Sequence, residues 1–151
     1  METTADDATP GRLRGKPTWL ILWTARRASR LVSDGFAAAG ARGYHYRLLA
    51  AFAEFGPDSR AALGRRVDLD RSDVVAAVNE SAEGELVERA ADPEDRRRNV
   101  VTTTPAGVRQ LRRLDRVLAG IQDELLAPLS SREREQLVRL LVHVLDHQAP
   151  G

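Results

Sequence analysis

The chain has 151 residues, the size of one globular domain or of a small protomer whose core a partner completes. Its 42% hydrophobic and 30% charged residues exclude a membrane protein and a fully disordered chain, and the absence of cysteine excludes disulfide scaffolds, thiolate zinc sites and thiol catalysis. The net charge of +1 hides a split: residues 1–56 hold eight basic and five acidic groups, residues 57–104 eight and eleven, and residues 105–151 seven and six.

Residues 1–16 carry Glu2, Asp6 and Asp7 with no apolar run. They read as a flexible N-terminus, neither a secretory signal nor a membrane span, of a cytoplasmic chain with no membrane partner. Pro17 opens a helix over about 17–39, with Trp19 and Trp23 at i, i+4 and Ile21, Leu22, Leu31 and Val32 along it. After a break at Gly40 to Gly43, Leu48, Leu49, Phe52 and Phe55 form a second helical stripe, closed by Gly56-Pro57. Ser59 can cap a short third helix with Ala62, Leu63 and Val67, and Asp70 a fourth with Val74, Val75, Ala77 and Val78.

Leu86 to Arg89 and Asn99 to Thr102 are β-prone tetrads flanking a charged tip, Ala90 to Arg98. Thr104-Pro105 then caps a long helix with Val108, Leu111, Leu114, Leu118, Ile121 and Leu125 at helical spacing. Ser130 and Glu133 form a capping box ahead of a last helix bearing Leu137, Leu140, Leu141, Val144 and Leu145.

This order predicts a mainly α fold with a small β-hairpin: a winged helix-turn-helix lobe flanked by N- and C-terminal dimerisation helices. The expected division is a flexible 1–16, a single protomer over 17–147 and a tail at 148–151. Within the protomer, 17–43 and 105–147 would be dimerisation helices, and 44–104 the winged lobe with its wing at 86–103. The terminal helices carry more apolar surface than the lobe can cover, so a homodimer is expected.

Several stretches carry a family resemblance: Tyr46-Arg47-Leu48-Leu49-Ala50-Ala51-Phe52, Leu69-Asp70-Arg71-Ser72, Leu86-Val87-Glu88-Arg89, Asp92-Pro93-Glu94-Asp95-Arg96-Arg97 and Thr103-Thr104-Pro105-Ala106-Gly107. Over residues 17–147 the chain resembles the MarR family of bacterial transcriptional regulators. The resemblance implies a dimeric regulator that binds a pseudo-palindromic double-stranded operator and is loosened from it by a small aromatic or other hydrophobic ligand, with no cofactor. It places the recognition helix at 70–82, with Arg71, Ser72, Asp73, Val75 and Ala76 at the major groove. Asp92, Asp95 and Arg97 match the wing's D-x-R-D-x-R pattern, with Glu94 in place of its first Arg, and Arg97 would enter the minor groove, where negative potential is concentrated.

The recognition segment departs from the family's usual polar and basic residues, reading Asp73-Val74-Val75-Ala76-Ala77-Val78-Asn79-Glu80-Ser81. Ser81 stands where a buried leucine is usual, which would forgo about 1.5–3 kcal/mol of apolar burial. Glu85 stands where a glycine usually ends the helix, and Gly84 is the expected left-handed residue in its stead.

Arg96, Arg97 and Arg98 are read as phosphate and minor-groove contacts, or as an exposed tip neutralised by its acidic neighbours. Arg60, with Arg65 and Arg66, can reach the backbone or simply solvate its helix. Trp19, Trp23, Arg26, His45 and Tyr46 are candidates for a ligand pocket, against a core or interface role for the tryptophans. His143 and His147 share a helix face with only Asp146 nearby, so no metal site is assigned. No catalytic motif is present. A second reading is that the fold has lost DNA recognition and serves as a small-molecule binding protein or enzyme. Its motives are the acidic lobe, Ala76, Glu80 and Ser81, and His45, Tyr44, Tyr46, Asp34 and Glu54 would be its titratable groups.

Overall fold

A computed structural model describes residues 9–56 and 70–149, Arg71 through its backbone alone. The expected third helix from Ser59, with Ala62, Leu63 and Val67, lies outside the described residues, as do Pro57, Arg60, Arg65 and Arg66. The elements are α1 (Gly11–Arg14), α2 (Pro17–Ala38), α3 (Gly43–Phe55), α4 (Arg71–Glu83), β1 (Val87–Ala91), β2 (Asn99–Thr103), α5 (Pro105–Leu125) and α6 (Ser131–Gln148). The fold is mainly helical with one antiparallel hairpin, in which Val87 pairs with Thr103 and Ala91 with Asn99. Among the described residues no helix is long and apolar enough to cross a membrane.

The helix boundaries follow local chemistry. Asp70 accepts from the Asp73 N–H, Thr104 from the Gly107 N–H, and Ser130 and Glu133 complete their reciprocal capping box. Each cap satisfies an N–H that the first helical turn leaves without a partner.

Two apolar clusters meet along α5. The lobe cluster joins Leu48, Leu49, Ala51 and Phe52 of α3 to Val74, Ala77 and Val78 of α4 and to Val87 and Val101 of the hairpin, with Leu111 of α5 packed against it. The second joins Phe36, Ala41 and Leu114, flanked by Val32, Tyr46 and Val117. α6 has no buried residue. Its Leu145 is 68% exposed, and Leu20, Ile21 and Leu22 of α2 are exposed as well. An apolar groove of about 930 Å³ runs between α2, the end of α5 and α6, past Ile21, Leu125, Leu137 and Val138.

The end of α4 differs from expectation. Gly84 has φ −79°, and the left-handed residue is Glu85, with φ 60°. The Leu86 N–H bonds the Ser81 carbonyl at 2.9 Å and the Glu85 N–H the Ala82 carbonyl at 3.0 Å. This is the paired-bond ending of a Schellman motif, whose left-handed position favours glycine because it lacks a Cβ. Here the carbonyl partners fix that position at 85, so the glycine one place earlier cannot serve. Ser81 is buried, as expected of a leucine position, and its hydroxyl lacks a partner. Glu85→Gly is therefore expected to stabilise the fold by about 1 kcal/mol, read as a higher urea midpoint at unchanged m-value.

Candidate nucleic-acid interface and effector groove

The first turn of α4 is shaped by Asp70, whose Oδ1 accepts the Asp73 N–H at 3.0 Å and the Ser72 hydroxyl at 2.8 Å. These bonds hold the Asp70 carboxyl below the usual carboxylate range, the backbone bond most strongly. Ser72 and Asp73 are exposed, Val75 and Ala76 half-buried, and Val74, Ala77, Val78 and Ser81 face inward. Of the residues expected at a major groove, the first turn is thus the open part of the helix.

The hairpin tip is built by its acids. Asp92 Oδ1 accepts the Glu94 N–H at 2.9 Å and Asp95 Oδ1 the Arg97 N–H at 3.0 Å. The Arg98 carbonyl accepts the Asp92 N–H at 2.8 Å and the Asp95 carbonyl the Arg98 N–H at 3.0 Å. Side-chain bonds to a backbone two residues on are the turn-forming habit of aspartate. Arg96, Arg97 and Arg98 are carried, exposed, on this turn.

Glu80 receives bonds that sequence reasoning missed. Its Oε2 accepts from the Tyr44 hydroxyl at 3.0 Å and lies 2.6 Å from His45 Nε2. A carboxylate only accepts, so His45 presents Nε2–H to it. Arg42 Nη1 donates to the Tyr44 oxygen at 2.7 Å. On the adjacent residue, the Asn79 Oδ1 accepts from Arg89 Nη2 of β1. Glu80 and its partners are 35 and 36 positions apart, and no local pattern links them.

The five expected ligand residues fall in three places. An open groove of about 620 Å³ between α2 and the end of α5 is lined by Trp23, Arg26, Arg27, Arg30, Glu124 and Leu125. Trp19 does not line it, but its ring lies 5.4 Å from that of Trp23. His45 and Tyr46 do not line this groove: His45 is at Glu80, and the Tyr46 hydroxyl donates to Asp115 at 2.7 Å, with its ring 5.6 Å from Phe36. Burial, followed by the Asp115 carboxylate, pushes the Tyr46 phenol up to about 12.

A capped helix across α3, followed by a hairpin with an arginine tip and a long helix closing the lobe, defines a winged-helix protein. Residues 40–98 match the family model described as MarR family, and solved structures of transcriptional regulators share the fold of the chain over most of its length. A probable transcriptional regulator from Pseudomonas aeruginosa is 29% identical, covers 87% of this chain and 98% of its own, and superposes with a TM-score of 0.76. The regulator PcaV from Streptomyces coelicolor, in complex with its natural ligand, is 25% identical, with 93% and 99% covered and a TM-score of 0.74. A Thauera aromatica protein described as a transcriptional regulatory protein for the hcr operon is 39% identical over 83 residues, 55% of this chain. The matched part spans 50% of that relative's length.

The Glu80 carboxyl is held below its ordinary 4.5, first by the His45 bond and then by the Tyr44 bond. A depressed folded value means that these bonds stabilise the fold above the unfolded carboxyl's pKa, and that this contribution is lost as pH falls through the folded value. In a carboxyl-carbon NMR titration, Glu80 is expected to titrate below its ordinary value, and His45→Ala to move it up toward that value.

Proposed function

We propose that the chain acts in the cytoplasm as a homodimeric, effector-responsive DNA-binding transcriptional regulator. The observation that carries this reading is the pairing, in one lobe, of a capped and open first turn of α4 with an arginine tip shaped by Asp92 and Asp95. In the proposed complex Arg71, Ser72, Asp73, Val75 and Ala76 meet one major groove per subunit. Arg97 enters the flanking minor groove, while Arg60, Arg96 and Arg98 meet phosphates. The segment 57–104 remains net acidic, but the tie of Glu80 to α3 removes one support for the reading in which DNA binding has been lost.

Residues 17–43 and 105–147 form the dimerisation region in this proposal, around a lobe spanning 44–104. The bare apolar face of α6 and the exposed start of α2 supply the contact surface. The effector is an aromatic or other hydrophobic anion in the Trp23 groove, its charge met by Arg26, Arg27 and Arg30. It acts by favouring a protomer spacing that fails to match successive grooves.

A fluorescence anisotropy titration with the DNA upstream of the gene, at two salt concentrations, tests the reading: a salt-sensitive complex, weakened by an added aromatic acid, is expected. Arg97→Ala should weaken it and lower the salt slope by about two, one for each subunit of the dimer. An unchanged slope would refute the wing assignment. Sedimentation at micromolar concentration is expected to show a dimer, and Leu141→Asp or Leu145→Asp to shift it toward monomer.

A further inference from the structure

Four side chains outside the proposed DNA and effector surfaces form one connected cluster. Arg42, Tyr44 and His45 come from the corner between α2 and α3, and all converge, directly or through Tyr44, on the single carboxylate of Glu80 in α4. The Arg42 guanidinium also lies over the Tyr44 ring, 5.6 Å from its centre, and the His45 ring meets that ring edge-on at 4.7 Å. The corner is itself tied to α5, since Arg113 Nη2 donates to the Ala39 carbonyl at 2.7 Å.

The buried face of α4 is poor in shape. Among the described residues it offers Val74, Ala77, Val78 and Ser81, no side chain larger than valine, and the Ser81 hydroxyl has no partner among them. Small, similar side chains leave a helix free to turn or slide against its neighbour, because few interlocking contacts single out one position. Polar ties then add to what holds the attitude of the helix. Asn79 and Glu80 do this on two flanks about 100° apart around the axis, Asn79 toward β1 and Glu80 toward α3.

We propose that Arg42, Tyr44, His45 and Glu80 are a positioning clamp that fixes the recognition helix in its DNA-reading attitude, so that acidic Glu80 strengthens operator binding instead of opposing it. The proposal rests on the DNA-binding reading above. It reverses the sign that charge alone assigns to Glu80: a carboxylate facing phosphates would weaken binding, and its removal would tighten it.

The test is operator affinity of the full-length protein at two salt concentrations, with amide hydrogen exchange of 71–83 measured on the same variants. Glu80→Ala is expected to lose about tenfold or more in affinity at an unchanged salt slope, because no phosphate contact is removed. Glu80→Gln, whose amide oxygen still accepts from Tyr44 and His45, should stay within about threefold of the parent. Tyr44→Phe should weaken binding in the parent and have little further effect in Glu80→Ala. Exchange across α4 should quicken in Glu80→Ala and Tyr44→Phe while exchange across α5 holds. Equal or tighter binding by Glu80→Ala would overturn the proposal. If the parent bound no upstream DNA, the DNA-binding reading would fail by itself, and the clamp would be decided by exchange, with unchanged α4 rates overturning it.

Discussion

The carbonyl oxygen of Leu86 accepts the Thr104 N–H at 3.0 Å, and the N–H of the same residue is held by the Ser81 carbonyl at 2.9 Å. One residue thus joins the end of α4, the entry to β1 and the start of α5. The Thr104 hydroxyl donates to the Glu85 carbonyl at 2.7 Å, and its own oxygen accepts the Gly107 N–H. Space closes around this junction: a Cβ on Gly107 would overlap the Leu86 carbonyl oxygen and crowd the Thr103 methyl. Glycine here is required by the close approach of two backbones. The hairpin and α5 are anchored to the C-terminal end of α4 by this knot, and the left-handed Glu85 is the strain needed to tie it.

The acidic middle of the chain also acquires a physical explanation. Four of the eleven carboxylates between residues 57 and 104 have defined local tasks. Asp70 caps α4, Asp92 and Asp95 fold the hairpin tip, and Glu80 is held by α3. A carboxylate engaged by N–H or O–H donors projects less negative potential than one exposed to solvent, since the donors' dipoles oppose its charge. Net charge by segment therefore overstates the electrostatic penalty at the proposed DNA-facing surface.

Most of the fold was legible in the sequence because its signals are local. The caps at Asp70, Thr104 and Ser130 and the stripe along α5 lie within a turn or two of what they determine. The hairpin shifted slightly, with Leu86 drawn out of the strand by its bonds to Ser81 and Thr104. The error at Gly84 has the same origin: composition suggested the glycine, but the bonding partners decide which residue turns left. The Glu80 cluster was invisible for another reason. Its members belong to different elements, and a glutamate on a predicted recognition helix carries no mark of which way it faces. The ligand candidates are divided for the same reason: Trp23 and Arg26 share a groove, while the polar atoms of His45 and Tyr46 meet Glu80 and Asp115.

α6 is capped at its start and tied to α5 by the Arg134–Asp123 pair at 2.7 Å, yet it buries no residue in its own chain. An isolated helix of this length is marginal in water. In the proposed dimer its order would come from the second copy, so folding of the C-terminal helix and subunit association become a single, concentration-dependent event. Dilution would then act on this protein as a denaturant does on others, eroding the C-terminal helix first while the lobe tied at Leu86 persists.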